Sequence, residues 1–311
     1  MRLSYCVSRL LQIIPTFLFI GVIVFFVARA MPGDTISTML GDRATDQAVA
    51  RVKHEYGLDQ ALWAQFGTFV SALAHGKLGT SIAFNVPVYD LIASRLPVTL
   101  MLTGFATLLA LLLSIPLAFV AALWANRWPD VLIRTMFQVG LSSPVFYTGL
   151  VLLTVFAAWL NLFPVGGYGD NLLSDLHHLF LPALTLALSF SAVIMRNLRA
   201  SILQVLRAEF VTFATAKGLA KQVILRRHIL RNAAISAVTL VGLQIGQLLG
   251  GAVITETVFA VPGIGRLMVQ SIFARDYPVI QMLTLVLAVM VSVAFLLTDM
   301  IQMWLDPRIS R

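Results

Sequence analysis

Few residues in this chain have the types and spacing for chemistry. The five histidines are His54, His75, His177, His178 and His228, and Cys6 is the single cysteine. Only the adjacent pair His177 and His178 invites a metal. Neighbouring side chains on a helix point about 100° apart, so this pair is not placed to chelate one ion as an i, i+4 pair would be. A lone cysteine excludes an internal disulfide or a cysteine-based metal site. No Gly-rich phosphate-binding loop is present, so ATP hydrolysis is not expected of the chain itself, and no catalytic constellation stands out.

The stretch that invites a function is basic rather than catalytic. From Arg196 to Arg231 there are eight Lys/Arg against one acid, Glu209. Glu209 suits the positive amino end of a helix, Phe210, Phe213, Ala214 and Lys217 follow at helical spacing, and Gly218 is free to adopt the left-handed geometry that ends one. A second helix is expected from Lys221 to about His228, leading towards Asn232. The pattern predicts a compact two-helix element with small Ala214 at its crook, suited to docking in a cleft. The plainer alternative is a basic interfacial helix held by anionic lipid.

The elements that must position this segment are membrane spans. With 59% hydrophobic and 12% charged residues, the chain is too apolar for a soluble domain, whose charged share is about 25%. The net charge of +8 is local to the loops, which excludes a nucleic-acid binder in favour of topology. Residues 10–28 are uncharged and long enough to cross a hydrocarbon core of about 30 Å, too long for a signal peptide, so an uncleaved first span is expected. Further apolar segments at 96–125, 135–162, 178–195, 232–255 and 277–298 bring the expected count to six, each a continuous helix because lipid offers the backbone no partners. Pro15, Pro116, Pro144 and Pro182 lie inside them and read as packing kinks.

Orientation follows from the short loops. Arg127, Arg134, the basic cluster, Arg308 and Arg311 fall on one side, while residues 161–177 carry no Lys/Arg. Both termini are therefore expected in the cytoplasm. The long segment 32–95 is then external, with short helices expected at 45–55 and 61–74, the second carrying Trp63, Phe66, Phe69 and Val70 on an apolar side. Arg29, Glu256 and Asp299 are read as anchors at span ends. No carboxylate falls near mid-membrane, which weakens a proton- or ion-coupled carrier. Gly250 and Gly251 read as a close helix contact.

Strings along nearly the whole chain resemble one family. They are Pro32-Gly33-Asp34, Gly57-Leu58-Asp59, Gly76-Lys77-Leu78-Gly79-Thr80-Ser81, Arg95-Leu96-Pro97-Val98-Thr99-Leu100, Ala214-Thr215-Ala216-Lys217-Gly218-Leu219 and His228-Ile229-Leu230-Arg231-Asn232-Ala233. The last third adds the run from Gly251 to Phe259, Pro262-Gly263-Ile264-Gly265-Arg266, Arg275-Asp276-Tyr277-Pro278 and Asp306-Pro307-Arg308. In this order and spacing the sequence resembles the first permease of bacterial dipeptide, oligopeptide and nickel ABC importers. It departs at Lys77, Ser236 and Phe295, where the family usually has Asp, Pro and Asn.

The resemblance implies an all-α integral membrane protein of the type I ABC importer permease fold. Residues 1–95 would form the first helix and the external segment, residues 96–305 a five-span permease domain, and residues 306–311 a cytoplasmic tail. Within the permease domain, residues 209–232 would form the coupling segment, with Glu209, Phe210, Phe213, Ala214, Lys217, Gly218, His228 and Asn232 engaging an ATPase. Pro262, Gly263, Gly265, Arg266, Arg275 and Asp276 would face the binding protein. The implied partners are a second homologous permease, two ABC ATPases that use ATP and Mg, a periplasmic or lipid-anchored substrate-binding protein, and membrane lipid. The chain itself binds no cofactor or metal. The function expected is a pore-forming subunit in the bacterial inner membrane importing small peptides, glutathione, nickel or a metallophore complex. The alternative is a stand-alone secondary carrier or channel.

Overall fold

The computed structural model describes residues 2–30, 45–55, 57–224 and 230–305. Among these residues the chain is helical, with one isolated bridge between Thr80 and Pro87 in place of any strand. The helices are α1 (Arg2–Ala30), α2 (Asp46–Glu55), α3 (Leu62–Ala74), α4 (Val88–Leu123), α5 (Trp128–Ser142), α6 (Val145–Trp159), α7 (Leu172–Leu206), α8 (Glu209–Ala216), α9 (Lys221–Ile224), α10 (Leu230–Val258), α11 (Ile264–Phe273) and α12 (Tyr277–Leu305).

The six expected spans coincide with α1, α4, α5 with α6, α7, α10 and α12. Among the described residues, length and hydropathy qualify three of these to cross a membrane, Val88–Leu123, Leu172–Leu206 and Tyr277–Trp304, and a fourth if the bent pair α5–α6 counts as one span. That pair corrects the expectation of a continuous third helix, because its halves meet at 106°. The cause is local. The ring of Pro144 excludes the preceding residue from helical geometry, and Ser143 is extended at φ −83, ψ 131. Pro15 and Pro182, by contrast, sit inside unbroken helices. The last part of α6, Leu153–Trp159, is wound as a π-helix.

The chain divides into two compact units. One comprises residues 1–9, 100–261 and 291–311. Its core is α7, whose Leu198, Ile202 and Met195 pack with Ala118, Ala121 and Ala122 of α4. Small residues permit the close approach of helices in a medium without a hydrophobic drive between them. A β-carbon on Gly251 would lie 3.0 Å from Leu186, and one on Gly149 would lie 3.1 Å from the Phe259 ring. Of the glycine pair at 250 and 251, only the second makes this contact, since a β-carbon at Gly250 would meet open space.

The other unit joins residues 10–99 to residues 262–290. Val88 and Ile92 pack with Ile264, Leu267, Val279 and Leu283 in its core. As expected, α2 and α3 fall almost on the segments read from sequence, and α3 docks on α1 through aromatic rings. Phe25 meets Phe66 at 5.2 Å and Phe69 at 5.5 Å between centroids, and Phe26 meets Trp63 at 5.6 Å. Val70 turns away from this contact and is exposed. Arg29 is half-buried, its Nε donating to Gln65 Oε1 at 2.9 Å and its guanidinium 4.5 Å from the Phe25 centroid. Glu256, read as an anchor at a span end that snorkels or pairs with neighbours, is fully enclosed in the last turn of α10.

Candidate coupling helix and loop cluster

The helix α8 starts at Glu209, as the charge pattern requires, and ends in a left-handed capping arrangement. Gly218 stands at φ 75, its N–H donates to the Thr215 carbonyl at 2.9 Å, and the N–H of Leu219 donates to the Ala214 carbonyl at 3.2 Å. These bonds satisfy carbonyls that the helix end would otherwise leave open. The following turn leads into α9, whose Ile224 is buried with α8 in the same apolar cluster.

The orientation of α8 corrects one sequence expectation. Ala214 does not lie at a docking face. It is buried, and with Val211 it packs into the core formed by α4 and α7. The outward face carries the aromatics, with Phe210 46% and Phe213 67% exposed. Large apolar rings held outward by a helix whose opposite face is anchored are a feature that partner surfaces use. Lys217 is the exposed C-cap of the helix. Asn232 lies in the first turn of α10, and His228 lies outside the described residues.

The same unit holds an ion pair that the sequence reading did not find. Asp130, fully buried, accepts from Arg199 Nε at 2.7 Å and Nη2 at 2.6 Å, from Arg134 Nε at 3.1 Å, and from the Asn126 backbone N–H at 2.8 Å. Burial alone would raise its pKa, but the bonds from Arg199 and Asn126, with the nearby charges, hold the carboxyl below its ordinary value. The clamp ties the turn before α5 to the last part of α7, the helix that leads into α8. Arg199 had been read only as part of a topological charge cluster, and nothing in a one-dimensional sequence links positions 69 residues apart.

The second unit gathers three of the quoted strings around α11. The Asp276 carboxylate accepts from Ser81 Oγ at 2.5 Å and from the backbone N–H groups of Ile82 at 3.3 Å and Ala83 at 3.0 Å. Thr99 Oγ1 accepts the N–H of Ile264 at 2.8 Å, satisfying one of the four open donors at the start of α11. The far end of α11 is capped by Arg275 at φ 55, with the Asp276 N–H donating to the Ser271 carbonyl at 2.9 Å.

This geometry corrects the expectation that Gly263, Gly265 and Asp276 present themselves to a partner. All three are buried, and Gly263 has an extended φ of −100 that any residue adopts. Asp276 instead orders the 81–83 turn from within. Pro262, Arg266 and Arg275 are partly exposed. The side chain that α11 turns outward most is Phe273, 81% exposed, and the neighbouring Ile272 is exposed too. Elsewhere, the His177 ring packs 5.2 Å from Phe163 and its Nε2 lies 3.1 Å from the Leu162 carbonyl, while His178 Nδ1 lies 2.8 Å from the Ser174 carbonyl.

Comparison with known proteins supplies the context for these arrangements. Residues 114–311 match the family model described as binding-protein-dependent transport system inner membrane component, and residues 2–103 match the N-terminal model of such membrane components. The chain is 39% identical over 314 residues to the probable D,D-dipeptide transport system permease protein of Escherichia coli, covering 93% of this chain and 92% of that one. It is 38% identical over 307 residues to the glutathione transport system permease protein of Salmonella typhimurium, covering 99% of both. It is 36% identical over 330 residues to the dipeptide transport system permease protein of Alkalihalophilus pseudofirmus, again covering 99% of both. Among solved structures, a chain of the inward-facing MetNI methionine ABC transporter superposes with a TM-score of 0.59 at 15% identity, covering 70% of this chain and 97% of that one, a likeness of fold. The chain belongs to the binding-protein-dependent transport system inner membrane components, and is a multi-pass inner-membrane permease subunit of an ABC importer that works with an ATPase and a substrate-binding protein.

Proposed function

We propose that this permease carries small peptides or a closely related solute such as glutathione, the solutes named for its dipeptide and glutathione relatives. It pairs with a second, homologous permease over two ATPases, which bind the ATP and Mg. It crosses the membrane six times with both termini in the cytoplasm. The segment from Glu209 to Asn232 is the handle through which the ATPases act. Phe210 and Phe213 enter the ATPase cleft, with Glu209 and Lys217 beside them, and Gly218 sets the turn towards His228 and Asn232. On the opposite side of the membrane the cluster around α11 meets the binding protein, with Pro262, Arg266, Arg275 and Phe273 at the contact.

The observation that carries this reading is the two-faced build of α8, anchored by Val211 and Ala214 and exposing Phe210 and Phe213. Such a helix transmits force from an outer contact into the α4–α7 core. Phe213→Asp tests it, because an exposed position tolerates the change with little effect on stability, usually within about 0.5 kcal/mol. The variant is expected to insert and melt as the parent does but to lose ATPase co-purification and transport. Undiminished co-purification and uptake would reduce α8 to an interfacial helix resting on lipid.

A further inference from the structure

We infer that the open side of α5, α7 and α10 is a solute groove whose polar side chains recognise a peptide unit and its free carboxylate. This rests on the peptide reading above and assigns it to residues. Two cavities, of about 840 Å³ and about 140 Å³, lie along this side and share Leu141 in their linings. Gln138 and Arg196 line the larger, and Ser189, Gln244 and Gln247 line the smaller.

The spacings show that these residues are on common faces. Gln244 and Gln247 are three apart on α10, Gln138 and Leu141 are three apart on α5, and Ser189 and Arg196 are two turns apart on α7. Along α7, where most side chains between 179 and 202 are buried, Ser189 and Arg196 belong to the stripe that is not. Glutamines within membrane spans are costly against hydrocarbon and are kept where they meet a partner or water. Here Gln138 lines the larger cavity and Gln244 and Gln247 the smaller, and the two linings share Leu141. The Ser189 hydroxyl is itself enclosed and has no hydrogen-bond partner among the described residues.

The chemistry of the lining selects the ligand. Each glutamine amide offers one acceptor and two donors, which complement the carbonyl and N–H of a peptide bond. Arg199 is committed to Asp130, but Arg196 is exposed and has no ion-pair partner among the described residues. Neither cavity has a carboxylate in its lining. The groove therefore offers a site for a carboxylate and for amides. Arg196 takes the free carboxylate of a short peptide while Gln244 and Gln247 hold its backbone. The break at Ser143 and Pro144 keeps this side open by turning α6 away from the axis of α5.

Two measurements on the complete transporter in membrane vesicles test the inference. In a Cys6→Ser background, Gln138→Cys and Gln247→Cys are expected to react with a hydrophilic maleimide much faster than Leu112→Cys, an exposed apolar position on α4, and to be protected by a dipeptide during turnover. Labelling no faster than at Leu112→Cys overturns the groove. For recognition, uptake of a radiolabelled dipeptide is compared with that of its C-terminal amide. Gln244→Leu with Gln247→Leu is expected to slow dipeptide uptake by roughly tenfold, the scale of one net hydrogen bond, while ATPase co-purification is retained. Arg196→Gln is expected to abolish the preference for the free carboxylate over the amide. Unchanged uptake in the leucine pair, or an unchanged preference in Arg196→Gln, overturns the recognition. If the unsubstituted transporter takes up no dipeptide, the substrate reading fails by itself, and the labelling contrast still decides the groove.

Discussion

Two aspartates without surface exposure, Asp130 and Asp276, close the two units at points that composition and periodicity do not reveal. A buried carboxylate persists only where hydrogen bonds replace its water, and each accepts at least three. Asp130→Asn leaves Arg199 without its charge partner. Breaking a buried pair in this way costs about 3–5 kcal/mol, and the loss is to be read as a lowered melting temperature in detergent. Its pH dependence has a definite sign. The folded carboxyl titrates below the unfolded value of about 3.9, so its contribution is fully present above that value and is lost as pH falls through the lower folded one. The difference between parent and variant is thus expected to be constant from about pH 5 to 8 and to shrink only in stronger acid. A difference that varied across the neutral range would assign the effect to another group.

At the scale of elements, the sequence was most informative where helices end. The boundaries of α2, α3 and α8 and the turn at Gly218 followed from caps, apolar spacing and glycine placement, because those signals are local. The face of α8 was not legible, since Ala214 is small enough to suit either a docking crook or a buried contact, and only its neighbours on α4 and α7 decide between them. The two positions therefore separate by experiment. Gly218→Val places a β-branched residue in left-handed geometry, at a cost of about 1–2 kcal/mol concentrated in the turn, and is expected to weaken ATPase coupling more than stability. Ala214→Glu forces a charge into the core and is expected to lower folded yield and melting temperature before any coupling is measured. Equal stability of both variants, judged by monodispersity and melting, would mean that α8 is not packed on the α4–α7 core. The bend of the third span had its signal in Ser143-Pro144, but prolines at 15 and 182 leave helices unbroken, so the residue type alone did not locate it.

For the molecule as a whole, the apolar segments of the sequence fall on the long helices among the described residues, and the asymmetry of Lys/Arg among the short loops gave an orientation that fusions can test. A reporter joined after Arg311 is expected to read as cytoplasmic, and one inserted at Gly169 as external. A periplasmic signal from the carboxyl-terminal fusion would invert the proposed topology. What hydropathy does not carry is the order in which distant parts meet. The strings around Ser81, Thr99 and Asp276 looked independent along the sequence, yet the structure makes them one cluster.

That cluster sets a clock on biogenesis. The bond between Ser81 and Asp276 spans 195 residues, and the unit it closes is assembled from residues 10–99 and 262–290. At a synthesis rate of about 5–20 residues per second, the first part waits roughly 10–40 s for the second. During that interval the 81–83 turn lacks the carboxylate that holds it, and the apolar face of α4 at Val88 and Ile92 lacks its cover. A nascent chain arrested before Pro262 is expected to be cut by added protease between residues 57 and 95, and one extended past Met290 to resist. Equal protection of both lengths would show that the early segment folds without waiting. Every newly made molecule would thus pass through a window of exposure, in which quality-control proteases, rather than the finished stability of the protein, decide how many copies survive intact.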